Sequence, residues 1–68
     1  MNFKIELERE DDGRWIAEIG ELPGVMAYGT TRDQAIGAVE ALALRVVADR
    51  LEHAEVATLP VDITFQPA

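Results

Sequence analysis

Thirteen carboxylates and one imidazole are the main resource for acid–base or metal chemistry in this 68-residue sequence, because it contains neither Cys nor Ser. Thiolate ligands and thiol or serine nucleophiles are therefore excluded. His53 has no such partner to activate, and near the end of a helical segment its expected role is a weakly favourable charge at the helix C-terminus. Gly20, Gly24 and Gly29 are separated by strand and turn residues and do not form a glycine-rich loop opening a helix, so phosphate binding has no support. The sharpest catalytic option is a two-metal site built from Glu6, Glu40 and Asp62. Parity argues against it: Glu6, Glu8 and Asp62 fall on strand positions facing away from the helix that carries Glu40, whereas the ligands of a metal must converge on one ion. The expectation is a non-enzymatic chain with no metal and no cofactor.

The charge balance points the same way. Six basic side chains against thirteen acidic ones give a formal charge of -7. Direct nucleic-acid binding is disfavoured, since it needs clustered Lys and Arg to displace counterions, and a basic partner is favoured. Hydrophobic residues make up 49% of the chain, enough for a core, although a chain this short buries only about 60% of its unfolded surface and gains from self-association. The absence of Cys suits a reducing compartment, so a cytoplasmic protein is expected. No apolar run approaches the ~18 residues of a membrane span, and the first residues lack the apolar core of a signal peptide.

These side chains are positioned by a short series of elements. Phe3, Ile5 and Leu7 alternate with Lys4, Glu6 and Glu8, the period-two pattern of a strand with one wet face. Asp11-Asp12-Gly13 reads as a hairpin turn. A second strand follows over Arg14–Gly20, with Trp15, Ala17 and Ile19 on one face and Ile16 and Glu18 on the other, and is broken by Leu22-Pro23-Gly24. A third covers Val25–Tyr28, too short for parity to decide whether Val25 or Met26 faces inward. Thr31-Arg32-Asp33-Gln34 has the form of a capping box, and the helix it opens runs to Glu52 or Glu55. Ala35, Ile36, Val39, Leu42, Ala43, Val46 and Val47 fall on one arc of that helix. A connection over His53–Leu59 leads to a fourth strand through Val61, Ile63 and Phe65, and the tail Gln66-Pro67-Ala68 is expected to fray. The whole is one domain, residues 1–68, of α+β class and order β-β-β-α-β. A three-stranded antiparallel meander is joined, after a right-handed helical crossover, by a fourth strand parallel to the third, with the helix covering one face.

Two surfaces stand out. The sheet face away from the helix carries Glu6, Glu8 and Glu18 together with Ile16 and either Met26 and Tyr28 or Val25 and Ala27 of the third strand, with Met26 and Tyr28 the expected partner anchors. A face both acidic and apolar suits a partner that is basic and apolar. On the helix, Leu44, Val47 and Leu51 form a flank beside the core stripe that either closes the core edge against the His53–Leu59 connection or offers a homodimer contact.

The run Asp12-Gly13-Arg14-Trp15-Ile16-Ala17-Glu18-Ile19-Gly20-Glu21-Leu22-Pro23-Gly24-Val25, followed by Tyr28-Gly29-Thr30-Thr31-Arg32-Asp33-Gln34-Ala35, resembles the N-terminal domain of HicB antitoxins and of solitary HicB-like proteins. The shared pattern is an acidic-Gly turn, an aromatic-led strand ending in Leu-Pro-Gly, and Gly-x-Thr opening a long helix. The resemblance covers residue 3 to about residue 52 and implies a catalytically degraded ribonuclease H-like fold. It also implies an antitoxin that neutralises a small basic HicA-type mRNA interferase by occlusion, with Glu21, Leu22, Pro23 and Gly24 joining the partner-binding face. Family antitoxins commonly add a C-terminal operator-binding segment, and these 68 residues are not themselves expected to bind DNA. The alternative is a self-assembling structural or regulatory module without a toxin, its apolar sheet patch buried in a homodimer.

Overall fold

The structure is a computed structural model that describes residues 1–55 and 60–68; of the expected connection over His53–Leu59, residues 56–59 lie outside the described residues. Strands β1 (Asn2–Arg9), β2 (Trp15–Glu18) and β3 (Met26–Gly29) are followed by helix α1 (Arg32–Glu52) and strand β4 (Thr64–Pro67). They build the α+β, β-β-β-α-β arrangement that the residue pattern predicts. The sheet order is β3-β2-β1-β4, with β1–β2 and β2–β3 antiparallel and β1–β4 parallel. Strands β3 and β4 thus run in the same direction at opposite edges, and the crossover through α1 passes over the two strands between them.

The turns follow from their residues. Gly13 N–H donates to Glu10 O at 2.9 Å and Glu10 N–H to Arg14 O at 2.7 Å, and Gly13 has φ +89°. This is a three-residue hairpin loop closed by a glycine in the left-handed region. Leu22-Pro23-Gly24-Val25 is a β-turn closed by Val25 N–H on Leu22 O at 3.0 Å. Pro23 presets φ at its first corner and Gly24, at φ +84°, takes the second, which only glycine occupies without strain.

Thr31 caps α1, its hydroxyl accepting from Gln34 N–H at 3.1 Å. The Gln34 side chain does not return to Thr31 as a reciprocal box would. It accepts instead from the N–H of Thr30 at 3.1 Å and from the Thr30 hydroxyl. At the other end His53 is the C-cap. Ala54 N–H on Leu51 O and Glu55 N–H on Arg50 O close a Schellman motif, with Ala54 at φ 55° in the position glycine usually holds. The strain costs about 1–2 kcal/mol.

The core is a single cluster: Phe3, Ile5, Ala17, Ile19, Leu22 and Val25 from the sheet side and Ala35, Val39, Ala43 and Val47 from the helix. Val25, not Met26, faces inward. Ile36, Val46 and Leu7 are half-buried against the cluster. Gly29 seats the helix: a Cβ there would lie 2.8 Å from Gln34 C and 2.9 Å from Ala35 Cα, so the end of β3 touches the first turn of α1 backbone to backbone.

The last strand departs from expectation. Val61 and Ile63 pack against the core as half-buried residues but precede β4, which begins at Thr64. The reason is register: Thr64 pairs with Asn2, the first residue of β1, and Phe65 with Phe3. Ahead of that register Met1 still bridges the segment, its amino group donating to Asp62 O and its carbonyl accepting from Thr64 N–H at 2.8 Å, so Val61 and Ile63 flank the strand without belonging to it. The tail does not fray either. Gln66 and Pro67 pair with Lys4 and Ile5, Ala68 N–H donates to Ile5 O at 3.0 Å, and the Arg32 guanidinium donates to Ala68 O at 2.6 Å. Pro67 is tolerated because it ends an edge strand. Phe3 and Phe65 stack with ring centroids 5.9 Å apart. Among the described residues, no helix is long and apolar enough to cross a membrane.

Candidate functional site

Directly paired residues on neighbouring strands share a face. Register therefore assembles the outer face of the sheet into two rows, Glu8–Ile16–Tyr28 and Glu6–Glu18–Met26, each running across β1, β2 and β3. Met26 is 43% and Tyr28 49% exposed. Glu6, Glu8, Ile16, Glu18 and Met26, with Leu7, line one shallow groove. Six of the expected binding residues thus form one contiguous surface.

Its electrostatics are unbalanced. Glu6 stands directly opposite Glu18, a like-charge pair that destabilises a sheet, and among the described residues no ion pair involves Glu6, Glu8 or Glu18. The one cation drawn onto the aromatic end of the face is Arg14, which residue-pattern reasoning overlooked. Its guanidinium lies 4.7 Å from the centroid of the Tyr28 ring, within cation–π range, and 2.8 Å from Asp12 Oδ2. The signal was present in the alternation, since Arg14 has the parity of Ile16 and Glu18. The Arg14 backbone N–H, 3.0 Å from Asp12 Oδ1, holds the Asp12 carboxyl below its ordinary range, and the guanidinium adds to the effect. The hairpin tip is in this way tied to the edge of the acidic face.

The Glu21–Gly24 turn does not join this surface. Leu22 is 2% exposed and plugs the core, so its side chain cannot contact a partner. Glu21 accepts the Lys4 backbone N–H at 3.2 Å and lines a separate depression with Met1, Phe3, Leu22, Val47, Arg50 and Glu55. Pro23 and Gly24 are exposed, but the turn itself accounts for both residue types. The self-association flank also needs correction: Leu44 is 48% and Leu51 37% exposed, whereas Val47 is 3% exposed and belongs to the core. Val47 lies on the α1 row of Ala35, Val39 and Ala43 that faces the sheet.

Glu6, Glu40 and Asp62 do not come together. Among the described residues, the group of side chains with metal-ligand spacing is Asp49, His53 and Glu55, whose ligand atoms lie within 4.8 Å of one another. All three are exposed at the end of α1. His53 Nδ1 is 2.8 Å from Asp49 O, a carbonyl that also accepts the His53 backbone N–H at 3.1 Å, so the ring sits on the last turn of the helix.

Comparison of the chain with protein-family models, with curated proteins and with solved structures finds no match in any of the three.

Proposed function

We propose that this chain is a non-enzymatic protein-binding domain that acts in the cytoplasm as a HicB-like antitoxin, docking the outer face of its sheet onto a small basic HicA-type mRNA interferase. The observation that carries the reading is the placement of Ile16, Met26 and Tyr28 in the same cross-strand rows as Glu6, Glu8 and Glu18. Long-range attraction between the carboxylates and a basic toxin speeds and orients encounter. Desolvation of the three apolar side chains then supplies most of the affinity, as a few central anchors usually do. The opposed Glu6 and Glu18 cost the free domain stability, and a Lys or Arg inserted between them relieves that repulsion in the complex. Inhibition is steric, so no group on this chain need react.

The test is co-purification of the tagged chain with its native partner at low and moderate salt, followed by an RNA-cleavage assay of what is retained. Recovery of a small basic ribonuclease whose activity the chain suppresses, with suppression weakened at least about tenfold by Tyr28→Ala or Met26→Ala, supports the proposal. Recovery of the chain alone, or suppression indifferent to both substitutions, sinks it.

A further inference from the structure

A helix lying on a sheet ordinarily turns charged and polar residues to solvent. Helix α1 does so along two flanks and at Asp33 in its first turn, and leaves a stripe of small and apolar residues between them. Gly37, Ala41, Leu44, Ala48 and Leu51 are all exposed, and at 100° per residue they fall in an arc about 80° wide, centred about 160° from the buried Val39. Their spacing alternates between four and three residues, which is the seam of a heptad repeat with Gly37, Leu44 and Leu51 at d and Ala41 and Ala48 at a. Leu at d with small residues at a lets two helices approach closely.

Two further observations say what covers this face. Among the described residues, nothing outside the helix's own backbone lies within 4 Å of where a Gly37 Cβ would be. Its glycine is therefore unexplained by the chain's own packing, although it costs the helix about 1 kcal/mol relative to Ala; a second backbone crossing there accounts for it. Glu40 and Arg45 flank the stripe on opposite sides at the g and e positions, and among the described residues neither is in an ion pair. In a parallel, in-register pair of helices, g of one helix faces the following e of the other. Glu40 of each copy then meets Arg45 of the other, twice per pair. An antiparallel pair would instead set Arg45 against its own copy near the two-fold axis.

We propose that a second copy of this chain covers the outer face of α1, in a parallel two-helix seam along Gly37, Ala41, Leu44, Ala48 and Leu51 flanked by two Glu40–Arg45 pairs. The seam spans about two heptads, at the small end of specific interfaces, which begin near about 1,200 Å², so the dimer is reversible. Because α1 and the acidic face lie on opposite sides of the sheet, the dimer leaves two docking faces open. It stands or falls independently of the identity of the partner that docks there.

Sedimentation velocity of the full chain from low to high micromolar concentration tests this. The expected result is a concentration-dependent dimer that Leu44→Glu weakens by at least about tenfold without changing its circular dichroism. Glu40→Lys should weaken it, and the double swap Glu40→Lys with Arg45→Glu should restore it. Since the chain has no Cys, Leu51→Cys provides a register probe: in a parallel pair it cross-links to its own copy under mild oxidation. A chain that stays monomeric throughout overturns the proposal. So does a dimer indifferent to Leu44→Glu but dissolved by Tyr28→Glu, or one in which Leu44→Cys cross-links and Leu51→Cys does not.

Discussion

The two faces of the sheet are built from alternate residues of the same strands, yet they do opposite things. On the inner face Phe3, Ile5, Ala17 and Ile19 are sealed beneath α1, where tight packing rewards apolar volume and punishes any change in it. On the outer face Glu6, Glu8 and Glu18 are held beside Ile16, Met26 and Tyr28, a combination that lowers the stability of the free domain and suits a docking partner. The hydrogen-bonded ladder, common to both faces, lets one face be optimised for stability while the other relinquishes some of it.

The contrast can be broken most severely from inside. Ile5 is fully buried, so Ile5→Ala should cost about 2–5 kcal/mol, a large share of the roughly 5–15 kcal/mol that holds a domain together; urea unfolding would show the midpoint collapse. Gly29→Ala should cost about 1–3 kcal/mol, because the new Cβ meets helix backbone at 2.8 and 2.9 Å and backbone cannot swing aside. A loss below the error of the denaturation curve would mean that β3 and α1 are not in contact there. Outside, Tyr28→Ala removes the ring beneath the Arg14 guanidinium and should lower stability by no more than about 1 kcal/mol, while reducing affinity for the proposed basic partner much more. Glu18→Gln sharpens the comparison further. It removes the charge opposed to Glu6 and should raise stability by about 0.2–1 kcal/mol while slowing association with a basic partner, so the two measurements should move in opposite directions.

The smallest expected effect is a pH dependence at the hairpin tip. The Asp12 carboxyl titrates lower in the folded chain than in the unfolded one, held down first by the Arg14 backbone N–H. Its contribution is therefore present above the ordinary Asp value, near about pH 4, and is lost as pH falls through the lowered folded value. The stability difference between the natural chain and Asp12→Asn should shrink in acid, and its size is small because the pair is exposed.

Much of this was legible in the residues. Alternation along β1 and β2 assigns the inward and outward sides correctly because the strand period of two is a local property. The Thr31 cap, the Asp-Gly hairpin and the Pro-Gly turn are likewise local, each required by the backbone angles of a few adjacent residues. Misreadings came where side chains answer to distant partners. Leu22, taken with its turn as part of a binding loop, is drawn into the core. Val47, which falls both on the core arc and on the helix flank, is fixed in the core by its contact with the sheet.

Composition and periodicity by themselves determined the class of the fold, the acidity of one sheet face and the exclusion of thiol and serine chemistry, since these depend on residue type and spacing within a few positions. Tertiary structure alone decided that β4 pairs with β1, that Val25 and not Met26 turns inward, that the tail is tied to Ile5 and Arg32, that Arg14 lies on Tyr28, and that the outer side of α1 presents an apolar seam. Each of those outcomes depends on contacts between segments far apart in the chain, and the free energy that selects among such pairings exists only once the sheet has closed and the helix has settled on it.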